Sequence, residues 1–284
     1  MPDLVIQPKR GWIAIDWNEL FRYRELLYFL VWRDVKVRYK QTVLGFAWAL
    51  IQPLLQSIIS FVIFGAAAGF QDKLPLGVPY FLWALAGQIA WQVFATALSM
   101  GGMSLVNQQH LLTKIYFPRL FLPTGVIGGS LVDLAISAAM FVCFMIYYHF
   151  SMGYTPPITI VFLPFLMLPI VIASLGVAYL LSAVTVTYRD FRFLIPFMGQ
   201  IWMWVSFVMM PRELLLTHTR FIKYEWLLSL NPMYGLLQGI RRVVLPHMTW
   251  NPWHYVIGTL ISCGMCVLGA FYFRKTERRF ADIA

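Results

Sequence analysis

The sequence predicts an all-α polytopic membrane protein, and three observations carry that expectation. Of its 284 residues, 60% are hydrophobic and only 12% are charged, against about 25% charged in a soluble domain. The mean hydropathy is +0.70. Between Leu44 and Phe273 apolar stretches recur with short polar punctuation, each near the roughly 20 residues a helix needs to cross a bilayer. Lipid offers backbone N–H and C=O groups no partner, so each stretch must satisfy them internally as helix. A membrane barrel would instead show a weak alternation of apolar and polar residues.

The chain is expected to divide into a cytoplasmic region at 1–40, one transmembrane domain at 41–273 and a cytoplasmic tail at 274–284. From Trp17 to Arg38 it reads as an amphipathic surface helix. Leu20, Leu27, Leu30 and Val31 share an apolar side, Arg22, Arg33, Lys36 and Arg38 stay near headgroups, and Trp17 and Trp32 suit the interface. A simple anchor and a helix that transmits force both fit this pattern. Leu44 to Trp48 then turn the chain into the membrane, with Pro53 early in the first span. Six spans are expected, at 44–68, 80–106, 120–148, 158–187, 191–209 and 253–273. The region 210–252 carries apolar patches interrupted by Arg220, Lys223, Glu225, Arg241 and Arg242 and broken at Pro232. It is read as short re-entrant or interfacial helices, with a seventh crossing as the rival.

Basic residues orient these spans. Lys9, Arg10, Arg22, Arg24, Arg33, Lys36, Arg38 and Lys40 precede the first span, and Arg274, Lys275, Arg278 and Arg279 follow the last, so both termini are expected in the cytoplasm. Lys114 and Arg119 after the second span, and Arg189 and Arg192 after the fourth, keep the alternation. The basic loop after the fifth span is the exception, and contact of Arg241 and Arg242 with an anionic substrate or outer headgroups would account for it. The net charge of +10 is then a topology signal and an attraction to anionic lipid, with no need of nucleic acid. Nothing before Leu44 reads as a cleavable signal peptide.

Few residues carry chemistry. Gln52 and Gln56 share a helical face, as do Gln88 and Gln92, and amides seldom face lipid because their donors and acceptors would lack partners. Burial against another helix and a hydrophilic route are the two readings. Asp133 in the third span is costlier still, and allows a proton-coupling role or a wet crevice. Trp91, Phe94 and Phe197 belong to an aromatic set that either anchors the spans or stacks on sugar C–H faces. The segment 107–119, polar at its start and closed by Pro118, reads as a short cytoplasmic helix or a packed connector. Cys143, Cys263 and Cys266 sit in spans, where ordinary packing is expected. No His pair with ligand spacing and no Gly-rich phosphate loop is present, so neither a metal nor a nucleotide site is expected in this chain.

Taken together, the residues resemble the permease subunit of type-two ABC exporters, in the branch that moves O-antigen, capsular polymers and teichoic acids. The strongest stretch runs from Arg24-Glu25-Leu26-Leu27 through Trp32-Arg33-Asp34-Val35-Lys36-Val37-Arg38-Tyr39-Lys40 to Leu44-Gly45-Phe46-Ala47-Trp48 and Gln52-Pro53. Lys114-Ile115-Tyr116-Phe117-Pro118-Arg119, Tyr188-Arg189-Asp190, Asn231-Pro232 and the 271–280 tail add to it. The resemblance implies a homodimer paired with two copies of a separate ATPase subunit, which would bind ATP and Mg, while this chain holds no cofactor and catalyses nothing. It implies ATPase coupling through 107–119, with His110, Lys114, Tyr116 and Arg119, and an extracytoplasmic gate with Arg241 and Arg242. An undecaprenyl-diphosphate-linked glycan would be drawn to Arg33, Arg38 and Lys40 and pass Gln52, Gln56, Gln88, Gln92, Trp91, Phe94 and Phe197 across the bacterial inner membrane. Met209-Met210-Pro211-Arg212 departs from the Ser-Pro-Ile-type stretch frequent in relatives. A teichoic-acid exporter is the near rival, and a proton-coupled secondary carrier using Asp133 the distant one.

Overall fold

The computed structural model describes residues 17–40, 45–75, 77–109, 117–211, 225–245 and 250–277. Within them, five helices are long and apolar enough to cross a membrane: Ala47–Ala67, Tyr80–Gly101, Phe121–Met152, Ile158–Thr187 and Pro252–Glu277. They correspond to the expected first, second, third, fourth and sixth spans. The first two end in π-helical turns, at Phe61–Ala67 and Ala97–Gly101.

The expected fifth span is shorter than the sequence suggested. Its helix covers Phe191–Val205, 15 residues, or roughly 22 Å against a hydrocarbon core of about 30 Å. The chain then leaves helical geometry at Phe207, whose φ is +54°. This helix begins one turn after the fourth span and finishes against Ser60 and Tyr80, since the Met209 carbonyl accepts from both hydroxyls. Along its length only Ile195 is buried.

Burial decides which helix is central. The second span has 89% of its apolar window buried, against 22–28% for the other four. Its faces are all covered, so it is hydrophobic all round, as a helix enclosed by others must be. Spans four and six cross backbone to backbone, because a Cβ on Gly176 would strike Cys266 and one on Gly269 would strike the Gly176 carbonyl. Small residues permit such an approach, and the packing it allows replaces the hydrophobic drive that lipid removes.

The two ends of the bundle differ. At one, the N-terminal helix is split into Trp17–Arg22 and Arg24–Lys40, and an apolar cluster gathers Leu30, Leu105, Phe117, Phe121, Val186 and Phe273 from five separate parts of the chain. At the other, here called the far end, the helix Pro232–Val244 is packed among the spans. Asn231 caps it, its side chain accepting from the Met233 N–H, and Pro232 occupies the first turn, where a missing N–H costs nothing. Met233, Tyr234, Leu236, Leu237 and Ile240 are at most 1% exposed, so this helix is an internal wedge and not a surface-lying one.

Candidate functional site

The interface helix Arg24–Lys40 lies in a groove cut by glycines of the third span. Leu30 faces Gly125, Val31 faces Gly128, and Val35 with Arg38 faces Gly129. At the end of the groove the Asp133 carboxylate accepts from the Arg38 guanidinium on one oxygen and from the Tyr39 hydroxyl on the other. Both partners of the ion pair are mostly covered, with side chains 22% and 14% exposed. Burial, and then the neighbouring Asp133, push the Tyr39 phenol up to about 12, so it stays a donor at physiological pH.

This pairing redistributes the cations expected at headgroups. Arg38 turns inward. Arg33 donates to Asp34 at 2.8 Å and to Gln108, at the start of the segment after the second span, at 2.7 Å. An open groove is left along the outer side of the helix, bordered by Phe29, Trp32, Arg33, Lys36, Val37 and Lys40. Lys36 lies over the Trp32 ring at 5.2 Å. The cations presented here are therefore Arg33, Lys36 and Lys40.

The glutamines divide in the same way. Gln88 is 2% exposed and donates to Gln56, linking the first and second spans, while its own Oε1 is buried without a hydrogen-bond partner among the described residues. Gln52 is exposed and Gln92 half-buried. Trp91 and Phe94 lie in the core, 5.4 Å apart at their ring centroids, and Phe94 meets Trp202 edge-on at 5.0 Å. Phe197 is 64% exposed on the fifth helix. Of the expected path residues, then, Gln52 and Phe197 face outward from the subunit and Gln56, Gln88, Trp91 and Phe94 serve its packing.

At the far end Arg241 departs from the expected contact with an anionic substrate or outer headgroups. It is 0% exposed, its guanidinium lies 3.5 Å from the centroid of the Trp83 ring, and it donates to the carbonyls of Phe207 at 2.9 Å and Val208 at 2.5 Å. Carbonyl dipoles and an aromatic face thus replace the water that a surface arginine would keep. Arg242, its neighbour, is half-buried. Asn231 also reaches the fifth helix, accepting from the Trp202 indole N–H and donating to Ser206, both at 2.9 Å.

The ABC-2 type transporter family model matches residues 25–245, from the interface helix through the wedge helix. The chain belongs to that family. It is 28% identical over 265 residues to the O-antigen export system permease protein RfbA of Myxococcus xanthus, covering 93% of this chain and 97% of that one. Two proteins of the same name from Klebsiella pneumoniae are 24% and 22% identical, each over 91% of this chain and 95% of their own length.

In this ABC-2 chain, His110, Lys114 and Tyr116 of the expected coupling segment lie outside the described residues. Arg119 is described, and it donates to the Glu277 carbonyl at 2.8 Å, capping the last helix where its carbonyls lack intrahelical partners. The described flanks of segment 107–119 are therefore joined to two other elements, by Gln108 to the interface helix and by Arg119 to the last span. Residue types alone singled out Asp133 and Arg241 but not their partners. Tyr39, Tyr80 and Ser60 carried no sequence signal, since single hydroxyls in apolar runs are unremarked until a carbonyl or carboxylate is seen beside them.

Proposed function

We propose that this chain is the permease subunit of an ATP-driven exporter that moves lipid-linked O-antigen or a related polysaccharide across the bacterial inner membrane. The observation that carries this reading is similarity to three O-antigen export permeases over more than nine-tenths of each chain. The active unit is a homodimer with two copies of an ATPase subunit, which binds ATP and Mg. The chain crosses the membrane six times, the fifth time by the short helix Phe191–Val205 with the turn that follows it. Both termini lie in the cytoplasm and the wedge helix at the extracytoplasmic face.

The lipid diphosphate is drawn to Arg33, Lys36 and Lys40 along the outer groove of the interface helix, where three cations sit beside apolar side chains suited to a lipid tail. The polymer passes between subunits over the surface that includes Gln52 and Phe197. ATP binding in the partner displaces segment 107–119, and the Arg33–Gln108 and Arg119–Glu277 contacts pass that displacement to the interface helix and the last span. Differential contacts of this kind in two states are what any coupling requires. A teichoic-acid cargo loses the support of Arg241, which faces the interior. A proton carrier loses that of Asp133, whose oxygens are engaged by Arg38 and Tyr39.

Purification of the chain with the ATPase encoded beside it, followed by mass spectrometry of bound lipid, tests this reading. A polyprenyl-diphosphate glycan that copurifies with both subunits supports it. A chain that binds no ATPase subunit and carries no lipid-linked polymer contradicts it.

A further inference from the structure

Three consecutive carbonyls at the far end, those of Phe207, Val208 and Met209, are all engaged by side chains from other elements. Arg241 of the wedge helix donates to the first two, at 2.9 and 2.5 Å. Tyr80 of the second span donates to the third, joined by Ser60 of the first span at 3.3 Å. Ser60 and Tyr80 are themselves 3.1 Å apart. Four elements thus meet on one stretch of backbone.

Several features of the sequence serve that meeting. Phe207 has a φ of +54°, a conformation disfavoured for a side chain with a Cβ and retained only where surroundings enforce it. Gly87 makes room for the guanidinium, because a Cβ there would collide with Arg241. Trp83 forms the floor of the site at 3.5 Å. A buried guanidinium needs acceptors as much as the unwound carbonyls need donors, so neither leaves without a replacement for the other. Ile195 is the one buried residue of the fifth helix, and its other ties are the Asn231 bonds to Trp202 and Ser206 and the ring contacts of Trp202 with Phe94 and Trp204 with Phe64.

We infer that Arg241 is a positioning residue that sets the far-end closure of the pathway, fastening the turn after the fifth helix to the wedge helix through the Phe207 and Val208 carbonyls and to the second span over the Trp83 ring. This rests on the exporter reading for the existence of a pathway, and goes beyond it in naming what keeps that pathway shut. Opening at this end requires the carbonyls to part from the guanidinium. Lysine does not replace it, since an ammonium is a point donor without the planar fork that reaches two carbonyls and stacks on an indole.

The full-length chain in sealed vesicles loaded with a small fluorescent dye tests the inference without partner, nucleotide or polymer. R241M is expected to release dye several-fold faster than wild type and R241K to fall between them. Spin labels at V205C and V256C, both at exposed positions, report the position of the fifth helix when one labelled protomer is diluted with unlabelled chain. Their distance distribution is expected to broaden in R241M. Should R241M fail to fold, Y80F removes a single hydroxyl from the same site and is expected to give a smaller change of the same sign. Tight vesicles with an unchanged distance in the folded variants overturn the inference, and so does a broadened distance with tight vesicles. Dye release needs no export, so failure of the exporter reading shows as missing polymer and leaves this result to stand or fall by itself.

Discussion

A carboxylate in a membrane helix is tolerable only where charge and hydrogen bonds meet it, and Asp133 has both, from Arg38 and Tyr39. Replacing it with leucine leaves Arg38 covered and unmatched. D133L is expected to cost about 3 kcal/mol, measured as a loss of thermal stability in detergent, and the exchange R38D/D133R to recover part of it. A stable D133L protein would show that the pair is incidental. The Tyr39 phenol is raised above its ordinary value of 10, to about 12. Its contribution is therefore full below pH 10 and lost as pH rises through 12. The stability difference between wild type and Y39F is expected to be constant below pH 10 and to shrink between 10 and 12. A difference that stays level through that window would remove Tyr39 from the account.

Among the elements, the interface helix depends on shape as much as charge. A Cβ at Gly128 would lie 2.6 Å from a Val31 methyl, so G128L must lift the helix from its groove, at about 1–3 kcal/mol of overpacking. G128A is expected to cost less, because one methyl of Val31 can rotate away. Limited proteolysis between the interface helix and the first span reads the displacement: faster cleavage in G128L than in G128A or wild type is the expected order, and equal rates would contradict it. The helices themselves were legible in the sequence because length and apolar run decide them. The groove was not. Gly125, Gly128 and Gly129 signal close packing in general, and nothing local to them names a partner about 95 residues away in the chain, the separation of Arg38 from Asp133. The short fifth helix was hidden for a similar reason. Residues 191–209 are broken only by Arg192, Gln200 and Ser206 among polar side chains, and the turn at Phe207 is imposed by Arg241, Tyr80 and Ser60.

For the whole molecule, the candidate site is spread over both ends of the bundle and not gathered in one cleft. The apolar cluster that joins Leu30, Leu105, Phe117 and Phe273 makes the interface helix, the flanks of segment 107–119 and the last span one packed unit. A push on that segment is therefore felt at several helices together. K114E reverses one charge at the proposed docking face and interrupts no full span, so it is expected to lower polymer-dependent ATPase activity of the complex several-fold while leaving membrane insertion intact. Normal complex stability with normal activity would make the segment a connector only. The composition made the membrane class legible, since apolar runs of this length can only be satisfied as helices in lipid, and the exporter class was legible only through the family resemblance of stretches such as 24–53. Arg241 was expected to meet an anionic substrate or outer headgroups because charge in a loop ordinarily faces out, and here an indole and two carbonyls receive it. The most direct test of the central claim is reconstitution of the chain with its ATPase subunit in vesicles carrying a lipid-linked polysaccharide, with protection of the glycan from an added glycosidase as the readout. Glycan is expected to change sides only when both subunits and ATP with Mg are present, and the isolated chain to hydrolyse no ATP. Movement driven by a proton gradient without the ATPase subunit would contradict the account.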